Sequence, residues 1–464
     1  MQPHQQVEPE FAAFVGIDWA DREHAWALEV SGSGKREKGK LEQSPESIEA
    51  WAAELAARFA GRPIAVSLEQ ARGALIYALS KYSHLVLYPI HPKTSSAYRE
   101  AMFPSGSKND PVDAELLLDL LIGHRKRLRP LQPDTEPTRK LQLLVEKRRQ
   151  LVDQRTAQTN RISDLLKVYF PQILNWFDSL SAPIVQAFLE RWPTVEKAQA
   201  ENPEILRKFF YQHHSRSPER IQERLTEIQK AKTPIQDPAI VEPMQLVTHA
   251  LLRVVQAFRE GIAVLDQAIQ KTFAMHPDAP IFSSFPGAGP ALAPRLLTSF
   301  GSQRDRYGSA GEILAYSGIA PVMARSGETQ RWIHFRWACP KFLRQSFHEY
   351  AEHSLTKCDW AKAFYLRQRK RLGHHAALRS LAFKWVRILF RCWQSRTPYQ
   401  KEVYRRACEE RTQPTPPQAA QPQNHQTTAR THPFLARLAP LVSVGSTAQY
   451  YFQSIAGFSK FTVK

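Results

Sequence analysis

Over the first 125 residues, short apolar runs alternate with charged or turn-forming stretches. AFVGIDWA (13–20) is an apolar run that closes on an acid. HAWALEV (24–30) and KREKGKLEQ (35–43) follow, joined by the glycine–serine turn SGSG (31–34), which reads as a hairpin. Ser44-Pro45-Glu46 opens a helix through IEAWAAELAARFA, and Gly61 stops it. PIAVSLEQ (63–70) is a fourth strand that again closes on an acid, ARGALIYALSKYS a helix, and HLVLYPIHP (84–92) a fifth strand. The stretch 93–109 is polar and basic and reads as a loop; a leucine-rich helix, NDPVDAELLLDLL, follows it. Three antiparallel strands followed by alternating helices and strands predict a mixed sheet with helices against it.

From about Thr135 the period becomes helical. TRKLQLLVEKRRQLVDQRTAQTNRISDLLKVYF (138–170) spaces its apolar residues as one face of a long helix, an arm of a coiled coil or hairpin. Helical stretches around 183–191 and 203–230 come next, and MQLVTHALLRVVQAFREGIAVLDQAIQKTF (244–273) returns the chain. The pattern predicts an extended helical stalk over 131–278 between a sheet domain at 11–130 and a second, mainly helical unit at 279–410. That unit holds further helices at 339–356, 359–372 and 375–396. The tail 411–464 begins with TQPTPPQAAQPQNHQTT, whose proline and glutamine content predicts disorder over 411–433.

Length and charge narrow the picture. A chain of 464 residues exceeds one core, so two or three domains are expected. The formal net charge of +19 favours a polyanionic partner, nucleic acid before an anionic membrane. No apolar run is long enough to span a bilayer, and the N-terminus lacks the blocks of a signal peptide, so a cytoplasmic protein is expected. Cys339, Cys358, Cys392 and Cys408 lack zinc-type spacing and read as small buried residues of a reduced protein.

Against this basic background, acids stand at element ends: Asp18 after FVGI, Glu69 after AVSL, and the pair Asp110/Asp113 at a helix mouth. Asp110 before Pro111 suits N-cap then N1, with Asp113 at N3 on the same face. That is the arrangement of an ordinary helix start as well as of half a metal site. If strands one and four are neighbours, Asp18 and Glu69 reach the same end of the sheet. Four converging carboxylates would repel one another and resist ionisation. Divalent ions relieve that repulsion, and hard oxygen donors select Mg²⁺ or Mn²⁺. Two such ions clamp the attacking and leaving oxygens of an in-line phosphoryl displacement.

GIDWA, VSLEQ and KNDPVDAELL resemble the Asp–Glu–Asp–Asp pattern of the RuvC-like (RNase H-like) domain in one group of bacterial insertion-sequence transposases, which includes the Piv-type invertases. FPGAGPALAPRLLTSFG…AGEILAYSGIAPVMARSGETQ, within 281–350, resembles the group's second domain. The resemblance implies an α/β RNase H-like domain with Asp18, Glu69, Asp110 and Asp113 as metal ligands. It also implies Ser326 as a nucleophile that joins covalently to DNA. Related transposases use an element-encoded bridge RNA that pairs with donor and target DNA, so a structured guide RNA is implied as a partner. Just after Ser326 this sequence departs from the commonest family pattern, reading QRWIHFRWACPKFLRQSF where many members have a glycine-rich, lysine-containing stretch.

On residue type alone, a serine before glycine is ordinarily a loop residue. Arg325 beside it can neutralise a phosphate. SFPGAGPALA (284–293) is similar to a helix–hairpin–helix turn, whose backbone N–H groups can bind phosphate, and reads equally as a tight interhelical turn. From Arg325 to Arg406 there are 19 Lys/Arg against 5 Asp/Glu, with tryptophans interleaved. Arg325, Arg331, Arg336 and Arg344 there, and Lys108, Arg125, Lys126 and Arg127 around the acidic helix, are the candidate nucleic-acid contacts. Three readings follow: a metal-assisted DNA recombinase with Ser326 as nucleophile, a nuclease or junction resolvase using water, and a non-catalytic binding scaffold. Strand exchange needs several active sites, so a homodimer or homotetramer, associated with the bacterial nucleoid when acting, is expected.

Overall fold

The computed structural model describes residues 10–69, 72–102, 110–215, 217–326 and 330–403; within these, side chains are not described at 110–111, 324–326 and 330–332. The tail, and with it the predicted disorder of 411–433, lies outside the described residues.

The chain opens with β1 (Ala13–Asp18), β2 (Glu23–Val30) and β3 (Arg36–Glu42), then α1 (Pro45–Arg58), β4 (Ile64–Leu68), α2 (Ala74–Leu79) and β5 (Leu85–Pro89). The strands form one sheet in the order β3-β2-β1-β4-β5. The β1–β2 and β2–β3 pairs are antiparallel, the β1–β4 and β4–β5 pairs parallel. Period-two alternation sends Val15, Ile17, Ile64, Val66 and Leu68 to one face, into a core closed by Ile48, Trp51, Ala52 and Leu55 of α1 and by Leu75, Ile76 and Leu79 of α2. The opposite face, with Gly16 and Ser67, takes α4 (Asp110–His124).

Before α4 lies a helix, α3 (Pro92–Met102), where the sequence reading placed a loop. The polar composition of KTSSAYREAM hid it. Its inward positions are Ser95, Tyr98 and Arg99, which share helical spacing yet carry little hydrophobic signal.

Two long helices follow. α5 (Glu136–Tyr169) has 34 residues, about 51 Å. α11 (Pro238–Ala274) packs along it in the opposite direction, tied by Arg148 to Asp266, where Nη2–Oδ2 is 3.1 Å. Between them run α6 (Ile173–Trp176), α7 (Pro183–Arg191), α8 (Val195–Gln199), α9 (Pro203–Gln212) and α10 (Pro218–Lys230). The region is more than this long pair. The short helices build a separate aromatic core of Phe170, Trp176, Phe177, Phe188, Trp192, Phe209 and Phe210 against Ile162, Leu166, Leu252 and Val255. Each large ring contributes roughly 2–3 kcal/mol by burial, enough to hold a helical cap at the far end of the long pair.

The near ends of α5 and α11 enter the C-terminal core through Leu141, Val145 and Ile269. This part comprises α12 (Ala279–Ser283), α13 (Gly289–Phe300), α14 (Ala310–Tyr316), β6 (Val322–Ser326), β7 (Gln330–His334), α15 (Lys341–Ser354), α16 (Asp359–Arg369) and α17 (His374–Ser395). Trp385 and Trp393 are fully buried and donate to Ser354 Oγ and the Gly301 carbonyl, each at 2.9 Å. The turn between α12 and α13 uses Gly287 at φ +82°, where a Cβ would stand 2.8 Å from the His353 carbonyl oxygen. Close backbone approach to the end of α15 thus accounts for that glycine. Of the three cysteines described, Cys358 is buried and all are free thiols.

Candidate active site

Asp18 ends β1, and Glu69 follows β4 directly. The parallel register pairs Ile17 with Leu68, so the two acids are the next residues at the carboxyl ends of neighbouring strands. That edge is where parallel α/β sheets place their ligands. Both acids are half-buried.

Helix α4 reaches the same strands because β1 carries a glycine. A Cβ at Gly16 would stand 2.2 Å from the Ala114 carbonyl oxygen and 2.5 Å from the Leu118 nitrogen, so the helix backbone rests on the strand. Ser67, fully buried in β4, adds a second tie by donating its hydroxyl to the Leu117 carbonyl at 2.8 Å. The side chain next to Ala114 is Asp113, only 3% exposed. Asp110 is the first residue of α4; its side chain is not among those described.

Two residues that the sequence reading did not single out hold these acids, both from α3. Ser95, fully buried, donates its hydroxyl to Glu69 Oε1. Arg99, one turn on, pairs with Asp113 Oδ1 through Nε at 2.8 Å and Nη2 at 2.7 Å. The four-residue spacing puts both on one face of α3. That spacing within KTSSAYRE was the available signal; it is invisible to a search for apolar periodicity.

The turn after Asp18 is fixed by His24. Its Nδ1 accepts the Ala20 N–H at 3.1 Å, so Nε2 carries the proton and donates to Gln43 Oε1 at 2.6 Å. Burial holds this imidazole below its ordinary pKa, with both hydrogen bonds opposing. The exposed Trp19 stacks on it, centroids 6.5 Å apart.

Among the described residues no three acids, imidazoles or thiols stand together as a finished metal cage. The chemistry of the donors nonetheless fits a hard divalent cation: every candidate is a carboxylate, and the Arg99 guanidinium already sets positive charge against Asp113.

Ser326 ends β6, where the hairpin register pairs it with Gln330. Its side chain and those of Arg325 and Arg331 are not among those described, and Gly327 and Lys108 lie outside the described residues. Arg344 donates to the Arg336 carbonyl at 3.3 Å, and both arginines are half-buried. Arg125 packs its guanidinium over Phe11 and Phe14, 5.2 and 5.5 Å from the centroids, whereas Lys126 and Arg127 are exposed.

A mixed α/β sheet with acids at the carboxyl ends of neighbouring parallel strands, followed by a helical C-terminal region, has the architecture of a DEDD nuclease-like transposase. Comparison with known proteins gives the particular family. Residues 15–171 match a family model described as transposase, of the DEDD type of IS110 elements, and residues 279–366 match the model of the transposase IS116/IS110/IS902 family. A Streptomyces coelicolor protein assigned as the transposase of the IS117 mini-circle is 29% identical over 85% of this chain and 97% of its own length. A 44.8 kDa protein of insertion element IS116 from Streptomyces clavuligerus is 26% identical, covering 81% of this chain and 93% of its own. A 43.6 kDa protein of insertion element IS110 from S. coelicolor is 24% identical, covering 84% and 96%. The chain belongs to the IS110/IS116 family of insertion-sequence transposases. No helix among the described residues is long and apolar enough to cross a membrane.

Proposed function

We propose that this transposase cuts and rejoins the DNA of its insertion sequence by attack of Ser326 on a phosphodiester, assisted by carboxylate-held Mg²⁺ or Mn²⁺. The observation that carries the metal half is the pairing of Asp18 and Glu69 at the ends of β1 and β4, with α4 seated on Gly16 beside them. Asp18, Glu69, Asp110 and Asp113 are the ligands in this reading. When bound, the ion withdraws electron density from the phosphodiester and neutralises the charge that builds on it. Ser95 and Arg99 keep Glu69 and Asp113 in place, and His24 fixes the turn that carries Asp18.

The serine half balances without an external energy source. The Ser326 Oγ–P bond forms as the P–O bond to the leaving nucleotide breaks; the hydroxyl loses its proton and the leaving oxygen gains one. A hydroxyl of the second strand then attacks the phosphoserine and restores the serine. The active-site divisions at 11–130 and 279–410, a structured bridge RNA pairing with donor and target DNA, a homodimer or homotetramer, and action at the bacterial nucleoid complete the proposal.

A nicked DNA substrate tests it. Wild type is expected to yield a peptide bearing a phosphoserine-linked nucleotide at residue 326. Ser326→Ala is expected to abolish both adduct and joined product, and Asp18→Asn to abolish both while DNA binding persists. Undiminished cleavage by Ser326→Ala would leave the water-using nuclease as the correct reading.

A further inference from the structure

The C-terminal part holds a group of cations that no acid among the described residues balances. Phe335 and Arg336 follow β7 directly. Arg344 and His348 stand one turn apart on α15, and Arg379 comes from α17, which packs against α15. The guanidinium of Arg344 lies 4.5 Å and that of Arg379 4.3 Å from the centroid of the Phe335 ring, so one ring locates both.

Elsewhere in this part of the molecule each half-buried arginine that braces an element is given a carboxylate. Arg148 has Asp266, Arg295 has Glu349, Arg304 has Asp278 and Arg306 has Asp134. Arg336, Arg344 and Arg379 make no ion pair with any described residue. Buried Nε atoms of Arg336 and Arg379, and Nε2 of His348, have no hydrogen-bond partner. The field is correspondingly positive. His348 is pushed down to about 4 by burial and then by Arg379, Arg344 and His375. Arg379 is held below its usual range by burial and by Arg344. Buried donors without acceptors, and like charges without a counter-charge, are both costly. An oxyanion with several acceptor oxygens relieves both at once, and guanidinium forks match its geometry.

We infer that Arg336, Arg344, His348 and Arg379 form a phosphate-binding site that seats a backbone phosphate of the DNA strand carried by the β6–β7 hairpin. This rests on the reading of the chain as a DNA-joining enzyme. The site is not where the attacked phosphate sits. Phe335 lies at the root of the hairpin and Ser326 at its far end, separated by four strand steps from Val322, or about 13 Å. The site therefore grips the strand a few nucleotides from the reacting centre. Trp337, 74% exposed and packed edge-on to Phe335 at 5.1 Å, offers a face to a sugar or unpaired base there.

The test uses the full chain, a labelled duplex carrying the element end, and fluorescence anisotropy across a salt series, with Arg344→Gln, Arg379→Gln and the double variant. Each substitution is expected to make the log–log salt slope shallower by about 1 and to weaken binding about tenfold. Arg379→Gln is expected to leave the melting temperature of the DNA-free protein unchanged or raised, because it removes an uncompensated charge. A lowered melting temperature with unchanged slope and affinity would make the cluster merely structural and overturn the inference. Inorganic phosphate separates the two sources of the anion. If phosphate raises the melting temperature of wild type but not of the double variant, while DNA affinity is equal in both, the site serves free phosphate and the DNA assignment fails. Binding is read without cleavage, so loss of the Ser326 mechanism and loss of this site are distinguishable: Ser326→Ala keeps the full salt slope in either case.

Discussion

The two ends of the described chain treat charge in opposite ways. At the carboxyl edge of the sheet the acids come with partners: Ser95 on Glu69, Arg99 on Asp113. Beside the β6–β7 hairpin Arg336, Arg344 and Arg379 make no ion pair among the described residues, and buried donors of Arg336, His348 and Arg379 have no hydrogen-bond partner there. In the first region Glu69 and Asp113 are each held by a partner from α3. The second is stable only at the cost of self-repulsion, which a ligand would remove. Taking a cation away should therefore destabilise the first region and leave the second unharmed.

The largest effect expected comes from the glycine that seats α4. Gly16→Ala forces a Cβ into backbone atoms at 2.2 and 2.5 Å, which cannot move aside as a flexible side chain would. A loss of about 3 kcal/mol is expected. It should appear as faster amide exchange in β1 and β4, with exchange in the separate aromatic core of α6–α10 unchanged. Gly123→Ala, near the end of the same helix with nothing within 4 Å of the added Cβ, is the control and should be neutral or slightly stabilising.

Next comes the partner of Asp113. In Arg99→Ala a carboxylate with a side chain 4% exposed loses a cation that is itself 20% exposed, and about 2 kcal/mol should be lost. Added Mg²⁺ should restore more of the melting temperature in this variant than it adds to wild type, because the ion then supplies the missing positive charge. An equal response in both proteins would mean that Asp113 does not face the metal. Set beside Arg379→Gln, for which no loss is expected, this pair of variants tests the comparison directly.

These contrasts show what the sequence made legible. The strands were readable because their alternation is apolar, and Asp18 and Glu69 because each interrupts an apolar run at its end. Gly16 stood in plain view inside GIDWA, but nothing in one strand says which helix will rest on it. The helix α3 was missed because its inward face carries Ser95 and Arg99, polar groups set against the acids, and only Tyr98 packs on a core. The helical stretches at 183–191 and 203–230 were legible and became α7, α9 and α10, but their gathering into a separate aromatic core was not, since no local period says which rings will meet. The basic run 325–406 was visible as a total. That Arg344 and Arg379 would meet over the ring of Phe335 was not.

A smaller effect belongs to Ser95→Ala. Removing one neutral donor from Glu69 should lower stability by about 1 kcal/mol, since Glu69 is half-buried and water can take the vacated place. If Ser95 only filled space, Ser95→Ala and Ser95→Cys would behave alike; a hydroxyl that orients Glu69 predicts that Ser95→Thr alone retains the Mg²⁺ concentration dependence of the melting temperature.

The smallest effect at neutral pH, and the most diagnostic, concerns His348. Its folded pKa of about 4 lies below the ordinary value of 6.5 because burial, Arg379, Arg344 and His375 all disfavour its charged form. The unfolded chain thus binds the extra proton first as pH falls. The contribution is complete above pH 6.5, absent as a pH effect at pH 7.5, and lost progressively between 6.5 and about 4. His348→Gln should flatten the DNA-free melting profile over that window and leave it unchanged above it. Bound DNA should reverse the sign of the field, since a seated phosphate favours the imidazolium. In the complex the titration of His348, followed by the NMR shift of its ring carbon proton, should move up from about 4 toward neutrality. An unmoved titration would show that no phosphate comes to rest between α15 and α17, and the contrast between the two regions would then reduce to a difference in how each was packed.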